Sequence, residues 1–561
     1  MIEGPICIYD NWSAYDELSD TIELTEELAL HELDELLRLR RSGVRLEYYL
    51  MDAFWYDPDG GYRTWRRPHW PDGPDRWLGR CLEHDVKPGL WISSNTLCKL
   101  NPISAWQESL TESRSAACFF HGGFWPHLLE SLHLWYERGV RLFKFDFLDL
   151  YAAPPSLERT MLPHTEILSL NIAAFKTGLK AFRAAHPEVV LTAYNGFEEH
   201  RDNAPKTSHR KFIGTHWLEA FDSVYCGDPA PSDVPAMSFF RSVDIFSDVR
   251  VQAYQRNGFP LHRIDNCSFM GGPAGTCYGR NDTGWKGMLI LSLARGGWVN
   301  SYHGTLELYD DADAAWFAKA QSMFLPLQHH GRIFTFGGDA AGSEPYGYAA
   351  HDSRGALFAV VNPSQSPADL CLPPVPLDAD APAGIRLLFQ DVGFPVQIEN
   401  RRVSLGPEQL ALVGTGLYAD AAWSLGTQPD VVIPSSICPL HADFQPAGDG
   451  AISAAVVAGR AGALRIVARQ LTPEGFPRKL WSQHHGEATM GTLLRLAAEQ
   501  DGRPLAITIE YDRKIWSGLS WAVGEIMAGA FDPGRPVTVR FESEDVSRPV
   551  LECRPYLVRY D

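Results

Sequence analysis

The sequence predicts an α/β protein: a (β/α)8 TIM barrel followed by C-terminal antiparallel β-sandwich domains. Three observations carry this. Over about the first 335 residues, eight short apolar strands are each followed by a helix or a long loop, and that span suits a barrel of roughly 250 residues plus insertions. The segment Arg141-Leu-Phe-Lys-Phe-Asp-Phe-Leu-Asp-Leu-Tyr151 alternates as a strand does, with Phe143, Phe145 and Phe147 on one face and Lys144 and Asp146 on the other. Beyond that span the helical period fades into short strands separated by Gly, Pro and Asp turns.

Taken in order, the strands are expected at 6–12, 45–55, 87–95, 141–150, 189–195, 223–228, 262–270 and 298–303. Each is a short run rich in β-branched or aromatic residues. Helices are expected at 26–41, 75–84, 126–140, 166–185, 234–249, 285–295 and 312–325. The third of these ends in Arg138-Gly139, a common helix stop. Strands at 356–361, 385–389 and 409–413 build a small sandwich, and 451–457, 464–468, 505–511 and 537–541 a further β-rich unit. The expected division is a catalytic barrel over 1–335, a β-sandwich over 336–420 and an additional β-rich domain of unknown role over 421–561.

Composition narrows the function. At 45% hydrophobic and 21% charged residues the chain is an ordinary globular protein. Its formal net charge of −19 argues against nucleic acid, whose phosphates need basic patches. The ten cysteines are scattered without CxxC pairs, which fits reduced thiols. The first residues read as a strand rather than a signal peptide, and no apolar run is long enough to span a membrane, so a cytoplasmic location is expected. No HExxH motif, zinc-type His pair, calcium loop or P-loop is present, and no metal or cofactor is expected.

In a barrel of this kind the site lies where strands end and βα-loops begin. The polar and aromatic residues there are Asp10 and Trp12 on strand one, Asp52, Trp55 and Asp57 on strand two, and Trp91 and Asn95 on strand three. Strand four offers Lys144, Asp146 and Asp149, strand five Tyr194 and Asn195, and strand six Asp228. Strand seven offers Asp265 and Asn266, and strand eight Trp298, Asn300 and His303. Carboxylates and amides bond hydroxyls and indoles stack on C–H faces, so the set suits a polyhydroxylated ligand. Two carboxylates facing one bond are the minimal apparatus of glycoside hydrolysis. Asp146 is the expected nucleophile and Asp228 the acid/base, with Lys144 holding the Asp146 carboxyl ionised.

These residues resemble the glycoside hydrolase family 36 α-galactosidases (melibiases) of clan D and their family 27 relatives. The resemblance rests on Lys144-Phe-Asp146, on His84-Asp-Val-Lys-Pro-Gly-Leu-Trp91, on Cys226-Gly-Asp228-Pro followed by Arg241-Ser-Val-Asp244, and on the region from Trp285 to Gly304. It implies a retaining exo-α-glycosidase, with Asp52 and Lys144 binding hydroxyls, Trp91 lining the sugar pocket and Arg241 organising the acid/base region. Trp55, Asn195 and His303 complete the expected binding set. The chain departs from the family at Met51-Asp-Ala-Phe-Trp55, where Asp-Asp-Gly-Trp is usual, and at Ala193-Tyr-Asn-Gly196 on strand five. The large N-terminal β-domain common in the family is not seen ahead of strand one. The expected partner is a small oligosaccharide or glycoside, with neither nucleic acid nor membrane, and assembly as a homo-oligomer is compatible with the sequence. Alternatives of the same site are a transglycosylase, a non-catalytic sugar-binding protein and a Schiff-base enzyme using Lys144.

Overall fold

The computed structural model describes residues 1–15, 22–158, 162–200, 211–226, 239–267, 270–271, 283–448, 450–480, 489–510, 520–545 and 547–560. Eight parallel strands close into a barrel: β1 (Ile6–Asp10), β2 (Tyr48–Met51), β3 (Lys87–Ser93), β4 (Leu142–Asp146), β5 (Val190–Ala193), β6 (Ser223–Tyr225), β7 (Ile264–Asp265) and β8 (Val299–Gly304). Neighbours pair in chain order, and β8 closes on β1 with Asp10 opposite His303. All eight expected strands are present, several of them shorter than expected. The seventh shrinks to two residues because the Asn266 side chain takes the Gly297 N–H and donates to the Gly297 carbonyl, pulling the chain off the ladder. The two-residue strand Met270–Gly271 then returns to pair with β8.

The helices follow the local chemistry. α1 (Glu26–Arg41) starts at Thr25, whose hydroxyl accepts the Leu28 N–H, and it carries acids in its first turn and arginines in its last. α2 (Asp75–Glu83), α3 (Phe124–Glu137) and α4 (His164–Ala185) pack their apolar faces on the barrel. α5 (Phe239–Arg256), α6 (Trp285–Ala294) and α7 (Asp311–His330) complete the ring. α6 is buried all round, because the β-sheet that follows covers its outer side. Among the described residues no helix is long and apolar enough to cross a membrane.

The barrel interior is graded, and this positions the site. Ile8, Tyr48, Leu50, Leu142, Val190 and Val299 form one apolar cluster inside the lower barrel, with Ile2 and Ile6 packed against it. Strand side chains alternate, so the next inward position lies two residues on. Those positions are Asp10, Asp52, Lys144, Thr192 and Ser301, every one buried and polar. The alternate residues Tyr9, Tyr49, Phe143, Phe145, Leu191 and Ala193 point outward into the large core shared with the helices. Dry packing below and polar groups above make the upper barrel a polar cup at the C-terminal ends of the strands.

After α7 a six-stranded sheet runs in the order Arg332–Gly337, Tyr346–His351, Gly355–Val361, Leu410–Gly416, Ile385–Val392 and Gly426–Val432. The last strand lies beyond residue 420 and joins Ile385–Val392 in parallel, so this sheet extends further along the chain than the sequence suggests. One face packs on a three-stranded sheet through Phe358, Val360, Val403, Leu405, Ala411 and Val413. The other face, with Tyr346, Tyr348, Leu357 and Leu412, belongs to the barrel core, which explains why Gly355–Val361 is buried throughout. Two five-stranded antiparallel sheets follow, joined by a core that includes Val456, Leu464, Ile466, Val539 and Leu557.

Candidate active site

The polar layer is organised around Lys144. Its Nζ donates to Asp10 Oδ2 at 2.8 Å and to Asp52 Oδ2 at 2.7 Å, and it stands 4.1 Å from the centroid of the Tyr194 ring. Strands β1, β2 and β4 each contribute one member, and all three side chains are almost fully buried. Burial pulls the ammonium down, but Asp10, Asp52 and Asp146 outweigh it and hold its pKa above the ordinary lysine range. Burial likewise pushes Asp10 up, and Lys144 and His303 overcome it, leaving this carboxyl well below the usual range. Asp52 goes the other way: burial and the negative charge of Asp10 raise it despite Lys144. One ammonium thus serves two carboxylates unequally.

Asp146 ends β4 and has its own cradle. Oδ2 accepts the Trp91 indole N–H at 3.0 Å, and Oδ1 accepts the backbone N–H groups of Phe147 at 2.9 Å and Asn195 at 3.0 Å. Phe147 adopts φ 49°, a left-handed conformation uncommon for a bulky residue, directly after the expected nucleophile. Asp146 is 6% exposed, and burial raises its pKa against the pull of Lys144, Trp91 and the two amides. Lys144 is therefore a longer-range influence rather than the direct partner that the sequence suggests. Its hydrogen bonds go to Asp10 and Asp52, because their strands β1 and β2 bring carboxylates to its level.

A fourth buried carboxylate belongs to the same site. Asp265, at the end of β7, accepts the Tyr194 hydroxyl at 2.6 Å, the Ser301 hydroxyl at 2.8 Å and the Cys267 N–H at 3.0 Å. Burial pushes its pKa up. Tyr194 stacks on Tyr225 at 4.1 Å between centroids, so strands five to eight are tied to Lys144 through one ring. His303 places Nε2 3.2 Å from Asp10 Oδ2, and both of its ring nitrogens are buried without meeting hydrogen-bond geometry.

The structure brings Asp52, Trp91, Lys144, Asn195 and His303 together around Asp146. Asp228, the expected acid/base, lies outside the described residues. Two expected binding residues stand elsewhere. Trp55 is fully buried away from the carboxylates, packed on Trp65 at 4.7 Å and Trp135 at 5.2 Å, with its indole N–H on the Trp91 carbonyl. It lies beyond the end of β2, in the core shared with the helices, and Phe54 is the ring that meets Trp91, at 5.4 Å. Arg241 is fully buried on α5, where it donates to Asp391 Oδ2 at 2.6 Å, to the Glu408 carbonyl at 2.8 Å and to Asp244 Oδ2 at 3.1 Å. It ties the barrel to the six-stranded sheet. Asp10, Tyr194, Asp265 and Ser301 join the site without having been in the expected binding set. For Asp10, Tyr194 and Ser301 the available signal was strand parity, since each lies an even number of residues above an apolar interior position, Ile8, Val190 and Val299.

No protein-family model matches the chain, and none of the curated proteins matches it in sequence. Solved structures do match. The galactosidase domain of an α-galactosidase–sucrose kinase superposes with a TM-score of 0.51 at 13% identity, and the α-galactosidase of Lactobacillus brevis with 0.51 at 14%. A family 36 α-galactosidase of Geobacillus stearothermophilus, solved in complex with stachyose, superposes with 0.50 at 13%. Each match covers 74% of this chain and 55% of the other, so this chain spans about half the length of those neighbours. At such identities the likeness is one of fold. The chain has the (β/α)8 barrel and C-terminal β-sheet architecture of the glycoside hydrolase family 36 α-galactosidases.

Proposed function

We propose that the protein is a retaining exo-α-glycosidase of the α-galactosidase type. The observation that supports it most is Asp146, which stands at the C-terminal end of β4 in the polar cup with both carboxyl oxygens held by three N–H donors. Such a cradle orients a carboxylate for attack on an anomeric carbon and leaves it little freedom to turn away. In the first step Asp146 bonds to the anomeric carbon as the glycosidic C–O bond breaks, and Asp228 gives its proton to the leaving oxygen. In the second, Asp228 takes a proton from water, whose oxygen displaces Asp146 from the anomeric carbon. Two inversions at that carbon retain its configuration. Among the described residues no group of His, Cys, Asp or Glu side chains is placed to hold a metal ion.

Lys144 supports a binding role over a Schiff-base one. A lysine flanked by two carboxylates at 2.7–2.8 Å stays charged and is a poor amine nucleophile. The stachyose complex of a structural neighbour makes oligosaccharides with a terminal α-linked hexose the first substrates to try. The test is hydrolysis of activated α- and β-glycosides of galactose, N-acetylgalactosamine, glucose and arabinose by wild type and Asp146→Asn. Turnover of one α-glycoside with retained configuration, lost in the variant, is expected. Wild-type rates in Asp146→Asn, or release of the inverted sugar, overturn the reading.

A further inference from the structure

We propose that Asp10 is a sugar-binding carboxylate and that, with His303, it recognises one hydroxyl of a neutral glycone. This inference rests on the glycosidase reading above and assigns it a specificity element on strand one.

Three observations lead to it. First, position matters: Asp10 ends β1, opposite His303 on β8, in the layer that also holds Asp52, Lys144 and, one step higher, Asp146. It occupies the level of the cup where the nucleophile's sugar must sit. Second, its bonding pattern is lopsided. Oδ1 accepts the Trp12 N–H at 3.0 Å, whereas Oδ2 faces both Lys144 Nζ and His303 Nε2. Oδ2 is thus taken up by the ammonium and the imidazole, whereas Oδ1, with a single N–H donor, keeps a lone pair that can accept a hydroxyl proton. Third, His303 is 1% exposed and neither of its ring nitrogens makes a hydrogen bond, although Nε2 lies 3.2 Å from Asp10 Oδ2. Buried polar atoms are seldom left unpaired, and at a site the missing partner is commonly the ligand.

The charges define the glycone class. Among the described residues, Asp10, Asp52, Asp146 and Asp265 share the site with a single ammonium, that of Lys144. An anionic sugar such as a uronate meets that excess of carboxylates and is repelled. A neutral hexose meets a row of acceptors for its hydroxyl protons. Strand two carries one carboxylate, Asp52, followed by Ala53. Asp10 supplies a second from the neighbouring strand, and both take the same ammonium. A plain alternative is that Asp10 only positions Lys144.

The experiment compares 4-nitrophenyl α-galactoside with its 2-, 3-, 4- and 6-deoxy counterparts, using wild type, Asp10→Asn and His303→Gln. Hydrogen bonds to charged groups make deletion of the recognised hydroxyl cost roughly 10- to 100-fold in kcat/KM for wild type. The expected result is that this ratio collapses toward unity at one ring position in Asp10→Asn, and at the same position in His303→Gln, while the other positions keep their ratios. A positioning role lowers all five substrates alike and leaves every ratio intact, which overturns the proposal. Should Asp10→Asn not fold, His303→Gln alone decides, since unaltered ratios there are equally fatal. Calorimetric binding of methyl α-galactoside and its deoxy forms runs in parallel. If the sugar binds without being cleaved, the hydrolase reading falls while the binding ratios still judge Asp10. If no sugar binds, both fall.

Discussion

Lys144→Met is the substitution that most directly tests the charge arrangement in the cup. Methionine keeps the length and apolar stem of the side chain and removes the ammonium. In the native protein that ammonium lies 2.8 Å from Asp10 and 2.7 Å from Asp52, with both carboxylates almost fully buried. Removing it leaves two buried carboxylates on adjacent strands with no cation between them. Breaking a buried pair in this way costs about 3–5 kcal/mol at neutral pH. The variant can relieve part of the cost by retaining a proton on one carboxyl, whose folded pKa then rises above its unfolded value. The folded state then binds more protons than the unfolded state, so stability falls as pH rises. One retained proton is worth about 1.4 kcal/mol per pH unit, so lowering the pH from about 7.5 to about 5.5 returns about 3 kcal/mol relative to wild type. Chemical denaturation followed by tryptophan fluorescence at the two pH values reads this directly. A variant as stable as wild type at both, or one with the same deficit at both, would refute the reasoning.

Further outcomes follow from the same geometry. Trp91→Phe removes the 3.0 Å donor to Asp146 and so destabilises its ionised form; the acidic limb of the kcat/KM profile moves to higher pH, and an unshifted limb disproves the contact's role. Trp55→Phe costs about 1–3 kcal/mol in unfolding free energy through lost packing on Trp65 and Trp135 and leaves KM unchanged, whereas a large KM effect would restore Trp55 to the sugar site. Arg241→Met strands the buried Asp391 and costs about 3–5 kcal/mol, seen as earlier unfolding with normal kinetics on folded protein. Burial pushes Glu32 up to about 7, while Tyr9 and the Leu306 N–H hold its other oxygen. The folded state therefore keeps a proton that the unfolded state loses above about pH 4.5, and stability declines by about 3 kcal/mol toward pH 7. Glu32→Gln should flatten that decline, and an unchanged slope would assign it to other groups.

How much of this was legible in the sequence differs between elements. The eight strands and most helix limits could be read because periodicity and capping are local: Thr25 before Glu26-Glu27 marks the start of α1 as clearly in sequence as in space. The two faces of β4 were equally plain from Phe143, Lys144, Phe145 and Asp146. Trp55 was misplaced because the reading extended strand two past Met51 and treated every aromatic near its end as inward. The bonds of Arg241 to Asp391 and Glu408 were not legible, because those residues lie 150 and 167 residues away, in a sheet that the sequence cannot dock.

By itself, then, the sequence determined what short-range rules govern: which segments form strands and helices, and which strand faces are apolar. Only the tertiary structure decided which charges meet. That Lys144 pairs with Asp10 and Asp52 while Asp146 rests on Trp91 and two amides depends on the closure of β8 on β1 and on the level each strand reaches in the barrel. Coulomb energies and hydrogen bonds change over a few ångströms, whereas sequence patterns fix only the face of a strand, so partner choice belongs to the closed barrel.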